Sequence, residues 1–215
     1  MLGPRDSTGD LLGRSRGPWR TLGVGSVVGV LLAAMSYAVT YAWMADRAVP
    51  ILSRYADQYS IARAVLPEYA AAIPPWKAVA WLFYNAHRGG VRFSLVGPGQ
   101  TGSNYVDYLG AAGGAVAWLW LVPATVLVIG GAAVAVRVGA RTVRAGVLAG
   151  ASVAVGYAGA LFVVEPLLVV EVATWEIGTG ATLSGVIGIP VVCGGVGGAV
   201  AASRHTRSAG TSSGG

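Results

Sequence analysis

Residues 111–136 read AAGGAVAWLWLVPATVLVIGGAAVAV and stop at Arg137, with Arg141 and Arg144 close behind. A hydrocarbon core about 30 Å thick is crossed by about 20 helical residues, and this run is long enough and carries no charge. Three further runs, at 21–45, 145–168 and 181–202, are long enough too and lack charge over their main span. The chain as a whole is 54% hydrophobic and 11% charged, whereas soluble domains carry about 25% charged residues. So little charge cannot cover a water-facing surface. Glycine supplies 33 of 215 residues and is spread through the apolar runs; membrane helices use small residues to approach closely. The expected fold is an all-α integral membrane protein, a four-transmembrane-helix bundle with a small, mostly helical extracytoplasmic cap.

Arginines orient this bundle. Arg14, Arg16 and Arg20 precede the first run, Arg137, Arg141 and Arg144 fill the turn 137–144, and Arg204 and Arg207 follow the fourth run. Four spans bring these three groups to one side, which the positive-inside rule makes cytoplasmic. Both termini are then cytoplasmic, in a cell membrane. The opposite turn, 169–180, holds Glu171 and Glu176 and no basic residue. Segment 46–110 carries basic residues but is long, and segments beyond about 60 residues cross largely regardless of charge. The formal net charge of +6 is therefore read as topology, and nucleic acid is excluded as a partner. The first apolar run is too long for a cleavable signal core of roughly 7–15 residues, and cleavage after Ala45 would put Trp43 where a small residue is required. It reads as an uncleaved anchor.

The tails, 1–20 and 203–215, are polar and read as disordered. Between them, segment 46–110 has the most individual sequence. Leu52, Tyr55, Tyr59, Ala62, Leu66 and Tyr69 recur at steps of three or four, which predicts an amphipathic helix over 50–70. Pro74 and Pro75 then open a second helix, PWKAVAWLFYNAH over 75–87, since proline suits a first helical turn. It is too short to span, and Trp76, Trp81 and Tyr84 suit the membrane interface. VRFSLV (91–96) alternates like a short strand, and GPGQTGSN (97–104) is a loop.

Candidate sites are few. Glu165, followed by Pro166 and then Glu171, is an ionisable group in an apolar run, which by default is a functional hypothesis. Counted from Arg144 at about 1.5 Å per residue, it lies about 32 Å away, at the edge of the core. It either pairs with an arginine of the cap or serves an ion, proton or substrate path. Asn85, His87 and Arg88 end the aromatic helix, as a polar terminus facing headgroups or solvent, or with His87 as a group titrating near neutral pH. Gly25/Gly29, Gly146/Gly150 and Gly194/Gly198 permit close contact within the bundle or between copies. Pro123 and Pro190 are tolerated in membrane helices and could act as hinges. The turn arginines set topology or bind anionic headgroups. GGVGG (194–198) and GPGQTG (97–102) lack a Walker Lys-Ser/Thr pair. The lone Cys193 and the separated His87 and His205 form no metal spacing, so neither metal nor cofactor is expected.

WKAVAWLFYNAH (76–87) in a segment after a first membrane helix, followed by three more helices, resembles a group of uncharacterised haloarchaeal multi-pass membrane proteins, some loosely labelled "transporter". The resemblance covers most of 20–203 in layout and implies an archaeal cell membrane with no tested activity. The basic charge departs from the acidic surfaces usual in such proteins. The expected function is a non-enzymatic structural or regulatory membrane component in contact with the lipid bilayer and with another membrane protein or a second copy. The alternative is a transporter or channel subunit using Glu165 and the proline-broken helices. An enzyme is not expected, because acid–base chemistry needs convergent titratable groups.

Overall fold

The computed structural model describes residues 18–56, 70–95, 103–172, 175–180 and 182–210. It is mostly helical, and four helical stretches are long and apolar enough to cross a membrane: Trp19–Met44, Trp118–Arg137, Val143–Leu168 and Ser184–Arg204. The first is α1 (Pro18–Met44) and the second is α5 (Leu121–Arg137) with its lead-in turn. The third joins α6 (Val143–Ala151) to α7 (Val153–Val164), and the fourth is α8 (Ile189–Gly210) with a π-turn, Ser184–Gly188, before it. Thr142 caps α6 by accepting from the Ala145 amide at 3.2 Å, and Gly139 makes the preceding turn at φ 71.

Glycine decides how these helices meet. A Cβ on Gly150 would overlap the backbone of Gly194, and one on Gly194 that of Gly150; Gly146 and Gly198 oppose each other in the same way. Gly131 abuts Gly194, Gly197 abuts Val128, and Gly25 and Gly29 lie against Ser152, Val153 and Tyr157. All three glycine pairs therefore serve contacts inside one bundle. α1 runs parallel to α6–α7, and α8 runs antiparallel to them. This places Arg20, Arg137, Arg141, Arg144 and Arg204 at one end, here called the arginine end. Arg14 and Arg16 lie outside the described residues, and Arg207 lies on the last turns of α8.

The opposite end carries the cap, whose described residues add a sheet to the helices expected. It contains α2 (Ala48–Ala56), α3 (Pro75–Ala86), the short α4 (Tyr108–Ala112) and a four-stranded antiparallel sheet. Strands β1 (Gly90–Leu95), β2 (Ser103–Val106), β3 (Val170–Val172) and β4 (Trp175–Gly180) lie in the order β2-β1-β4-β3. The turn expected over 169–180 is thus a hairpin whose second strand pairs with β1, Phe93 opposite Ile177. Val91, Phe93 and Ile177 point inward and are buried.

Three other expectations are corrected. The span placed at 111–136 is interrupted where Gly113 and Gly114 take φ 58 and 53, a left-handed conformation that glycine adopts without a Cβ clash. The tail placed at 203–215 is helical to Gly210, because no proline or glycine breaks SRHTRSA. The amphipathic helix placed at 50–70 is described only through α2; the rest of it lies outside the described residues.

Candidate functional site

α3 is the hinge-pin of the molecule and not the interfacial helix expected. Pro75 starts it, and every residue from Ala78 to Ala86 is buried. Lys77, Trp81 and Tyr84 are spaced four and three apart and so share one helical face. That face meets the end of the third span. Lys77 Nζ donates to the Val169 carbonyl at 2.6 Å, Trp81 Nε1 to that of Leu168 at 3.0 Å, and the Tyr84 hydroxyl to that of Leu161. The last carbonyls of a helix lack helical donors, and Pro166 removes one more amide there. Lys77 and Trp81 thus cap the end of the third span in trans, and Tyr84 adds a second donor to the Leu161 carbonyl, which already accepts the Glu165 amide. Each such bond contributes roughly 0.5–1.5 kcal/mol net, and more for a charged donor. Burial, aided by the Glu165 carboxylate, holds the Tyr84 phenol above its ordinary range. Of the aromatic residues of α3, Trp76 alone stays at the surface, with Lys77 Nζ 5.3 Å from its ring centre.

Asn85 and His87 do not face headgroups or solvent. Asn85 Nδ2 donates to the Val106 carbonyl at 3.3 Å, and its Oδ1 accepts from the Leu109 amide at 3.1 Å, pinning β2 and α4. His87 is fully buried. Its Nδ1 lies 2.8 Å from the Phe83 carbonyl and its Nε2 2.9 Å from the Tyr157 hydroxyl. A carbonyl only accepts, so Nδ1 carries the proton and Tyr157 donates to Nε2. Burial pushes this imidazole down to about 4 from 6.5, the bond to Phe83 opposing it. His87 is therefore a neutral structural joint at pH 7, not a near-neutral switch.

Glu165 meets the cap through a threonine and not, among the described residues, through an arginine. Its carboxylate accepts from Thr179 Oγ1 at 3.3 Å, and the cap arginine that forms an ion pair, Arg92, bonds Glu176 at 2.7 Å. Pro166 sits in the 3₁₀ turn Glu165–Leu168. Glu171 is exposed on β3, opposite Glu176.

A site with room for a ligand lies elsewhere, between the cap and the second and fourth spans. It is a cavity of about 780 Å³. Asn85, Arg88, Tyr105, Asp107 and Thr182 form its rim, and Ala124, Ile189 and Cys193 its floor. Glu165 does not line it. Among the described residues outside glycine, Arg88 alone has a positive φ, 56. The Arg88 amide bonds the Asn85 carbonyl and the Gly89 amide that of Tyr84, the pattern of a Schellman motif closing α3. Its left-handed position normally holds glycine, because a Cβ there costs about 1–2 kcal/mol. Here it holds an arginine at the rim of the cavity. The π-turn Ser184–Gly188 lies beside it, packed through Gly185 onto the His87 carbonyl. Sequence reading placed Arg88 only at the end of the aromatic helix, because its distinction is a backbone angle.

A family model described as "Family of unknown function (DUF7978)" matches residues 12–205. The chain belongs to that family. No curated protein and no solved structure matches it. Membership covers the four spans and the described cap together, and it names no substrate or partner.

Proposed function

We propose that this member of the family is a non-enzymatic component of an archaeal cell membrane, with both termini cytoplasmic, that binds a ligand or partner on its cap side through the cavity beside Arg88. The observation that carries this is the floor. Directly below Cys193, Gly194 meets Gly131 and Gly150, and Gly197 meets Val128, backbone against backbone. That close packing next to the floor favours binding over passage. Its apolar floor and a rim that carries both Arg88 and Asp107 favour an occupant with an apolar body and a polar head, and the arginine is suited to carboxylate or phosphate.

Cys193, the single cysteine, reports occupancy. A small methanethiosulfonate reagent is expected to modify it more slowly in native membranes than after purification, and Arg88→Glu is expected to remove the difference. Equal rates in both settings for the native sequence would contradict an occupied site.

The transporter reading is favoured by the π-turn, a place where the fourth span could change register. It requires flux in proteoliposomes that falls with Glu165→Gln. The binding reading expects no flux in either protein.

A further inference from the structure

We propose that the cleft at the arginine end, between the start of α1 and the turn from α5 to α6, is a binding site for an anionic phospholipid whose headgroup carries two phosphate charges. The cleft encloses about 550 Å³. Three guanidinium-bearing residues line it: Arg20 from α1, Arg137 at the end of α5 and Arg141 in the turn. Among the described residues no carboxylate forms an ion pair with any of them. Arginine stays charged and presents a planar fork that fits phosphate oxygens. Three such groups around one space suit a doubly charged headgroup better than a single charge.

The rest of the cleft suits a lipid. Leu22, Val24 and Leu148 continue its wall along the helices, and Leu22 and Leu148 are exposed, so an acyl chain can lie against them. Trp19, one residue before Arg20, is 82% exposed. Tryptophan concentrates at headgroup depth, which puts the arginines at the level of the phosphates. Gly139 allows the tight turn that brings Arg137 and Arg141 to the same cleft. Arg144 lies one turn on and does not line it, which supplies an internal control.

Native mass spectrometry of the full-length protein in detergent, with phosphatidylcholine, phosphatidylglycerol and cardiolipin in competition, tests the site. Cardiolipin should be retained most and phosphatidylcholine least. Arg20→Gln and Arg141→Gln should each weaken cardiolipin retention about fivefold, the loss of one arginine near a phosphate. Arg144→Gln should leave it unchanged, and Arg141→Lys should keep part of it. Inorganic pyrophosphate added to delipidated protein separates the sources, and it should compete only weakly. Full displacement of lipid by pyrophosphate at similar concentration would make this a free-phosphate site and overturn the lipid assignment. Equal effects of Arg141→Gln and Arg144→Gln, or no preference among the three lipids, would overturn the site itself.

Discussion

The two ends of the molecule are joined by different forces. Toward the arginine end, helices touch through glycine backbones, Gly146 to Gly198 and Gly150 to Gly194. At the cap end, α3 is fastened by directed hydrogen bonds that Lys77, Trp81 and Tyr84 donate and by one that His87 accepts from Tyr157. The first kind of contact depends on the absence of a side chain. The second depends on particular donors meeting particular carbonyls. Lipid explains the division, since apolar tails give helices no hydrophobic reason to associate, leaving close packing and hydrogen bonds. Substitutions at the two ends should therefore fail in different ways.

The largest effect should come from adding atoms to the glycine seam. Gly150→Val puts side-chain carbons where the Gly194 backbone lies. It should cost more than about 3 kcal/mol, beyond ordinary overpacking, and appear as loss of the monodisperse peak in detergent. A normal elution profile would break the comparison.

Next in size is a pH effect confined to the cap junction. His87 is held neutral, with its value pushed down to about 4 from 6.5. A base depressed on folding contributes stability that is complete above the unfolded value. That stability is lost as pH falls from about 6.5 to about 4, because the unfolded chain takes up the proton first. The loss should reach roughly 2–3 kcal/mol. Melting temperatures between pH 7.5 and 4.5 should fall faster for the native sequence than for His87→Gln. Parallel curves would mean that His87 is not buried as described.

How far such features could be read beforehand depends on where the partner lies. The four spans were legible because an uncharged apolar run is its own signal. The start of α3 was legible from Pro75. Its burial was not, since Trp81 and Lys77 find their acceptors 87 and 92 residues away. The sheet was hidden for the same reason: β4 pairs with a strand on the far side of two spans, and β3 has three residues. Glu165 drew attention as a charge in an apolar run, yet its partner is a threonine in the unforeseen hairpin. Arg88 could not be found from composition at all, because its distinction is a backbone angle.

Smaller effects sharpen the contrast. Tyr84→Phe removes one donor from the Leu161 carbonyl, which keeps the Glu165 amide as a partner. The expected cost is about 1 kcal/mol, read as a modest drop in melting temperature with an unchanged elution profile. Arg88→Gly should instead raise the melting temperature by relieving about 1 kcal/mol of backbone cost, while abolishing protection of Cys193 in native membranes. The smallest effect belongs to the ion pair on the sheet. Arg92 and Glu176 are 34% and 30% exposed, so Glu176→Gln should cost well under about 1 kcal/mol and vanish in high salt.

The most direct test of a cavity reached from the cap is sidedness of the single thiol. Sealed proteoliposomes of known orientation, treated with a membrane-impermeant maleimide, should show modification of Cys193 from the cap side and none from the arginine side. Modification from the arginine side, with the vesicles still sealed, would mean the glycine seam does not close the bundle.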